Sequence, residues 1–230
     1  MSALPTRSSS DSEDPHTDSS RIGIDESGKG DYFGPLVIAA VHVSPENEPD
    51  LRLIEVRDSK RISDGRVLEM ARDIRQVCRH SVVAIGPQRY NELYAKIRNL
   101  NRLLGWGHAR ALENLLGQVD CDLVIADQFG DERFIRSALL DKGKQVRLVQ
   151  KPKAETDLAV AAASILARAE FLTRLKRLSD EVGTSLPKGA SRTVELAARM
   201  ILKKHGKDRL AAVAKMHFKT TQAVLAEASD

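Results

Sequence analysis

Only two cysteines, Cys78 and Cys121, occur in 230 residues. That is too few for a disulfide framework or a cysteine-built zinc site, and it suits a reducing cytoplasm. No stretch approaches the roughly eighteen consecutive apolar residues of a membrane span. The N-terminus also lacks the basic start and apolar run of a secretory signal. There is no internal repeat, and no linker-like segment divides residues 21–230. What remains is an ordinary globular composition, 42% hydrophobic and 30% charged, long enough for one domain with a sizeable core.

Charge is unevenly spread. The net value of +4 combines −3 over residues 1–20 with +7 over the rest. Residues 1–20 are rich in Ser, Asp and Pro and poor in large apolar side chains, the composition of a disordered tail. Leu186 to Thr220 holds nine Lys or Arg against two acidic residues. Such a block suits a polyanionic partner, although a solvated basic helix face would look the same.

Hydrophobic periodicity gives a coarse layout from Arg21 onward. RIGID reads as a short strand. YFGPLVIAAVHV reads as a longer β-rich run entered at Pro35, with the glycine-bearing turn ESGKGD between the two. Ser63 and Asp64 offer caps for a helix carrying Val67, Leu68, Ala71, Ile74 and Val77. SVVAIGP is a strand, and Pro87 to Asn99 and Asn101 to Gln118 are helices. CDLVIADQFG is a buried strand ending at a carboxylate. A helix over Glu132 to Asp141, a strand over Val146 to Gln150 and an Ala-rich helix from Leu158 to about Glu181 follow. Residues 191–229 read as wholly helical. The pattern predicts an α/β fold, a mixed sheet flanked by helices with a helical C-terminal region. Tyr90, Tyr94, Trp106 and His108 cluster in sequence, and packing accounts for them as it does for Leu103 and Leu104.

Acidic residues stand where strands end. Asp25 and Glu26 are adjacent, and alternate strand positions face opposite sides, so both cannot enter one core. Asp127 closes the run Leu123-Val124-Ile125-Ala126. Glu155 and Asp157 precede the Ala-rich helix, where Asp157 also has the ordinary role of an N-cap open to it. Carboxylates gathered at one place require compensation, and a divalent cation supplies it. Oxygen donors without a Cys or His cluster favour Mg²⁺ or Mn²⁺ over zinc. Two such ions suit phosphodiester hydrolysis. Gly23 to Gly30 nearly spells a phosphate-binding P-loop. However, Gly30 stands where a hydroxyl should hold the ion, and Asp25 and Glu26 would repel the phosphates. The glycines serve better in letting backbone amides approach a nucleic-acid strand.

At these residues a resemblance enters. Gly23-Ile-Asp-Glu-Ser-Gly-Lys-Gly-Asp-Tyr-Phe-Gly-Pro35 resembles the opening motif of type 2 ribonucleases H in its ribonuclease HIII form. Asp58-Ser59-Lys60, Ile125-Ala-Asp127-Gln-Phe129 and Lys153-Ala-Glu155 resemble further family elements. So do Ala159 to Arg168, Leu186-Pro-Lys-Gly189 and Met216-His-Phe218. The resemblance covers roughly residues 21–222. It implies a ribonuclease H-like fold and hydrolysis of the RNA strand of RNA–DNA hybrids with two Mg²⁺ or Mn²⁺ ions, leaving 5′-phosphate and 3′-hydroxyl ends. Asp25, Glu26, Asp127 and Glu155 would be the catalytic metal ligands. Asp157 is the fallback for the fourth, since a gapless overlay sets Ala154 at that place. Gly28, Lys29 and Gly30 would sense 2′-hydroxyls. Asp58, Ser59, Lys60, Ser164 and Lys188 would bind nucleic acid.

The resemblance also marks departures. Ribonuclease HIII usually carries an N-terminal domain similar to the TATA-binding protein, and here only twenty tail-like residues precede the motif. Weaker hybrid affinity, or a helping partner, is expected. Ribonuclease HII sets a Tyr after its C-terminal Lys-Gly pair to recognise a single ribonucleotide, whereas Ala190 follows Lys188-Gly189 here. A cytoplasmic monomer without membrane contact or organic cofactor is expected. Three alternatives stay open: ribonuclease HII-like action on single ribonucleotides, a catalytically idle nucleic-acid-binding module, and a nuclease for branched DNA.

Overall fold

The computed structural model describes residues 20–56 and 62–226. The expected tail therefore lies outside the described residues except for Ser20, and so do Asp58, Ser59 and Lys60. Among the described residues, strands β1 (Arg21–Ser27), β2 (Leu36–Val43), β3 (His80–Ile85), β4 (Leu123–Asp127) and β5 (Arg147–Lys151) form one sheet, in the order β3-β2-β1-β4-β5. The helices are α1 (Glu48–Leu53), α2 (Asp64–Val77), α3 (Pro87–Ile97), α4 (Leu100–Leu116), α5 (Arg133–Arg136), α6 (Leu158–Val182), α7 (Arg192–Val213) and α8 (Lys219–Ala226). The pairs β1–β2 and β2–β3 are antiparallel, and β1–β4 and β4–β5 are parallel. This is the mixed sheet flanked by helices that the residue pattern predicts.

Strand alternation assigns each side chain to a layer. Val37, Ala39, Val41 and Val43 of β2 enter a core shared with α2, α6 and α7. Leu36, Ile38 and Ala40 enter the opposite core with Ile22, Ile24, α3 and α4. On the first side α6 lies very close to the sheet. A Cβ on Gly23 would sit 2.1 Å from the Ala159 carbonyl carbon, so β1 carries glycine at the crossing. The alanines of α6 bring no bulk to push it away.

Three expectations need correction, and one element was unforeseen. The helix foreseen from Glu132 to Asp141 stops at Arg136, because the Glu113 carboxylate draws the chain into a turn, accepting from Leu140 N at 2.7 Å and Gly143 N at 2.9 Å. The C-terminal region is not wholly helical. Gly206 kinks α7 at φ +80°, and Asn91 holds open the break before α8, donating to Ala214 O at 2.9 Å and accepting from Met216 N at 2.9 Å. Trp106 is surface-exposed rather than core, because the buried Gly105 and Gly107 turn the close-packed side of α4 inward. Short α1, opened by a proline in its first turn, was not foreseen at all.

Candidate active site

The last paired position between β1 and β4 sets Ile24 beside Ala126. Asp25 and Asp127 each come one residue later, so their carboxylates leave neighbouring parallel strands on the same side of the sheet. Adjacent strands are ~4.8 Å apart, which brings two acids 102 positions apart in the chain to one spot. Both line a cleft of about 460 Å³ together with Glu26, Gly28, Lys29, Gly30, Ser164, Arg168 and Lys188. Of the residues nominated from sequence, Asp25, Glu26, Asp127, Gly28, Lys29, Gly30, Ser164 and Lys188 thus converge.

The adjacent acids divide by strand parity. Asp25 follows the α6 side, where the Ser164 side chain hydrogen-bonds it, and its Oδ1 accepts from Glu26 N at 2.8 Å. Glu26 follows the α4 side, where its Oε2 accepts from His108 Nε2 at 3.1 Å. Its Oε1 lies 3.4 Å from Lys29 Nζ, and that ammonium also stands 5.7 Å over the Phe129 ring. Burial, then the Glu26 charge and more weakly Asp127, push Asp25 up to about 7, with Ser164 opposing. Burial alone would raise Glu26 as well, but the contact with His108 and the Lys29 charge outweigh it and hold Glu26 low.

The glycine turn forms one wall. Gly28 has φ +87°, and a Cβ there would sit 2.2 Å from Pro35 O, so only glycine fits. C-terminal segments pin the turn in place. Gly189 N donates to Asp31 Oδ1 at 2.6 Å, and Tyr32 N to Gly189 O at 2.9 Å. The buried Lys215 ammonium donates to the carbonyls of Asp31 and Gly34, each at 2.7 Å. On the rim, Asp64 bridges Arg168 and Lys188, both at 2.7 Å. A larger groove of about 780 Å³ adjoins the cleft through Lys188. Its acids, Asp64 and Asp180, already face Lys188 and Lys176, so the smaller cleft is the candidate site.

The candidates for the fourth acid lie outside the cleft lining. Glu155 sits half-buried on a single 3₁₀ turn, Ala154–Thr156, and is not among the residues lining the cleft. Asp157, the fallback, is fully buried and engaged elsewhere. Its Oδ1 accepts from Ala159 N at 2.8 Å as the N-cap of α6, and its Oδ2 accepts from Arg21 Nε at 2.8 Å. Ala154 contributes its amide, which donates to Asp127 Oδ1 at 3.2 Å. Sequence reasoning missed Arg168, and it put His108 down to packing. The signal for His108 was a Gly-Trp-Gly-His run inside a helix, where two glycines cost stability unless something needs the close approach.

The donor set is all oxygen, which suits Mg²⁺ or Mn²⁺, and the Asp25 carboxyl, raised by burial first and then by the Glu26 and Asp127 charges, is one that a cation would relieve. Among the described residues no group of three His, Cys, Asp or Glu side chains stands ready to hold an ion. The residues fit a divalent cation in chemistry, and Glu155, outside the cleft lining, would have to turn in to complete the set.

Known proteins resemble this chain over most of its length. The family model described as ribonuclease HII matches residues 22–221. Ribonuclease HIII of Protochlamydia amoebophila is 48% identical over 204 residues, 89% of this chain and 68% of that protein. Ribonuclease HIII of Chlamydia pneumoniae is 45% identical over 205 residues, 87% of this chain and 68% of that protein. The crystal structure of Bst-RNase HIII in complex with Mn²⁺ superposes with a TM-score of 0.85 at 34% identity, covering 91% of this chain and 70% of that one. No helix among the described residues is long and apolar enough to cross a membrane.

Proposed function

Because the chain belongs to the ribonuclease HII family, on its ribonuclease HIII side, we propose that it is an endonuclease cutting the RNA strand of RNA–DNA hybrids. It leaves 5′-phosphate and 3′-hydroxyl ends and works as a cytoplasmic monomer. The observation carrying this reading is the register that sets Asp25 beside Asp127, in a cleft walled by a glycine turn. Asp25, Glu26, Asp127 and Glu155 would hold Mg²⁺ or Mn²⁺, which when bound supplies charge for the attacking water and the departing oxygen.

The chain's own groups do the rest. The Gly28-Lys29-Gly30 amides approach the minor groove, where 2′-hydroxyls distinguish RNA from DNA. Arg168 and Lys188 meet backbone phosphates at the rim once these outcompete Asp64, and Ser164 and the Asp58-Ser59-Lys60 segment add polar contacts. Asp25 accepts from Ser164 and from the Glu26 amide, which holds its carboxylate in place at the cleft wall.

Substrate choice follows from the 188–190 turn. Gly189 has φ +81° and is clipped to Asp31, and the exposed next position is Ala190, which has no ring to stack on a sugar or base. A labelled duplex carrying four or more consecutive ribonucleotides should be cut in Mg²⁺ or Mn²⁺, and one carrying a single ribonucleotide should react at least ~10-fold more slowly. A tenfold ratio corresponds to about 1.4 kcal/mol of transition-state binding. All-DNA and all-RNA duplexes should remain intact. Equal rates on the one- and four-ribonucleotide duplexes would remove the subtype assignment, and cutting of all-DNA duplex would remove the substrate class.

A further inference from the structure

His108 is completely buried on α4, whose inward side otherwise joins an apolar cluster with β1 and β2. Its ring packs against Phe129 with centroids 4.7 Å apart. Nε2 meets Glu26 Oε2 at 3.1 Å, while the equally buried Nδ1 has no hydrogen-bond partner. A leucine would fill this volume without desolvating two ring nitrogens, one of them unsatisfied. The contact with Glu26 is what the histidine supplies in return.

The backbone of α4 is shaped to deliver it. A Cβ on Gly105 would lie 2.2 Å from Phe134 O, and one on Gly107 would lie 2.6 Å from Ile38 Cδ1. These two glycines let the helix settle onto α5 and onto β2, the strand beside β1. The position after them then reaches the end of β1. Ile38 is the register partner of Glu26, so the Gly107 contact and the His108 hydrogen bond fall on the same rung of the sheet. Without the close approach, an imidazole on α4 would stop short of the carboxylate.

We propose that His108 is a positioning residue: by donating from Nε2 to Glu26 Oε2 it fixes the rotamer in which Glu26 presents its carboxylate to the cleft. Lys29 holds the other oxygen from the solvent side, and at 3.4 Å on a half-exposed side chain that grip is the weaker of the two. His108 does not touch substrate and transfers no proton. Its effect is to spare Glu26 the reorientation that would otherwise precede cation binding. This rests on the reading of Glu26 as a cation ligand. Removing such a supporting hydrogen bond characteristically costs about 10–100-fold in metal affinity or activity.

The test compares four full-length variants by melting temperature, by kcat and KM on a long-tract hybrid, and by Mn²⁺ affinity in calorimetry without nucleic acid. His108→Leu keeps the volume and loses the donor, and His108→Gln keeps a donor at the reach of Nε2. Glu26→Gln and its combination with His108→Leu complete the set. His108→Leu should lower kcat and weaken Mn²⁺ binding by at least about tenfold, with KM for the hybrid unchanged. His108→Gln should recover most of both, and His108→Leu should add nothing on the Glu26→Gln background. Equal kcat and Mn²⁺ affinity in the Leu and Gln variants would reduce His108 to core filling. Should His108→Leu not fold, His108→Asn, whose donor falls one bond short, replaces it, and matching behaviour of Asn and Gln overturns the proposal. If Glu26→Gln itself leaves activity and Mn²⁺ binding intact, the ligand reading fails first. If Glu26→Gln is damaging and His108→Leu is not, only the positioning role fails.

Discussion

Replacing Asp25 by Asn should lower hybrid cleavage by at least about a thousandfold and at the same time stabilise the metal-free protein. The loss follows from removing the charge at the centre of the acid set while keeping its shape. Asn still accepts from the Glu26 amide that now donates to Oδ1, so the strand end has no reason to move. The gain follows from proton linkage. In the fold Asp25 is pushed from 3.8 up to about 7 by burial and by Glu26. Between roughly pH 4 and pH 7 the folded chain therefore binds a proton that the unfolded chain has released, and stability falls as pH rises through that window. Above it the penalty is complete. Asp25 is partly exposed at the cleft, so solvent screens part of the cost, and about 2 kcal/mol is the expected order. Asn carries no such charge. In chelator, the Asn variant should melt above wild type at pH 8, and the two should coincide near pH 4. Wild-type-like activity would reject the role of Asp25, and a lower melting point at pH 8 would reject the electrostatic account.

Asp157 should behave in the opposite way. It ties three elements together below the surface. Arg21 at the start of β1 donates from Nε to Asp157 at 2.8 Å and from Nη1 to Glu48 of α1 at 2.9 Å, while Asp157 also caps α6. Cutting a buried ion pair from one side costs about 3–5 kcal/mol, and losing the cap adds ~1 kcal/mol. For a chain of this size each kcal/mol is worth roughly 2–4 °C, so Asp157→Ala should melt at least ~8 °C lower. Its cleavage rate per folded molecule should stay within a few-fold of wild type. Glu155→Gln should leave the melting point in place and cut the rate by at least ~10-fold, since losing a ligand's charge costs no less than losing a group that supports a ligand. Thermal melts and rates measured on both variants decide the fourth acid. The reverse pattern, a stable but inactive Asp157 variant beside an active Glu155 one, would move the ligand to Asp157.

The contrast shows which features could be read from residue order. Asp25, Glu26 and Asp127 stood out because strand patterns end on them, and the pairing of Ile24 with Ala126 turns that linear cue into proximity. The alternation rule also foresaw that Asp25 and Glu26 would part company, as they do toward Ser164 and His108. The hidden features rest on single side chains acting over long separations. Glu113 ends α5 early, and Asn91 breaks the C-terminal helices more than a hundred residues downstream. Arg21 gives Asp157 its structural role across 136 positions. Periodicity records which face of a segment is apolar, but not which distant group will capture its backbone. His108 was concealed for the same reason, since a buried histidine among apolar neighbours differs from filler only by the carboxylate it meets.

Anomalous diffraction from crystals of the full chain soaked in Mn²⁺ examines the acid cleft most directly. The peaks should fall within about 2.5 Å of carboxylate oxygens from both Asp25 and Asp127, with Glu26 in its His108-bound position and Glu155 turned in to complete the shell, near the Mn–O distances typical of hard cations. Manganese bound elsewhere, with the cleft empty in crystals whose dissolved protein still cuts hybrids, would contradict the account.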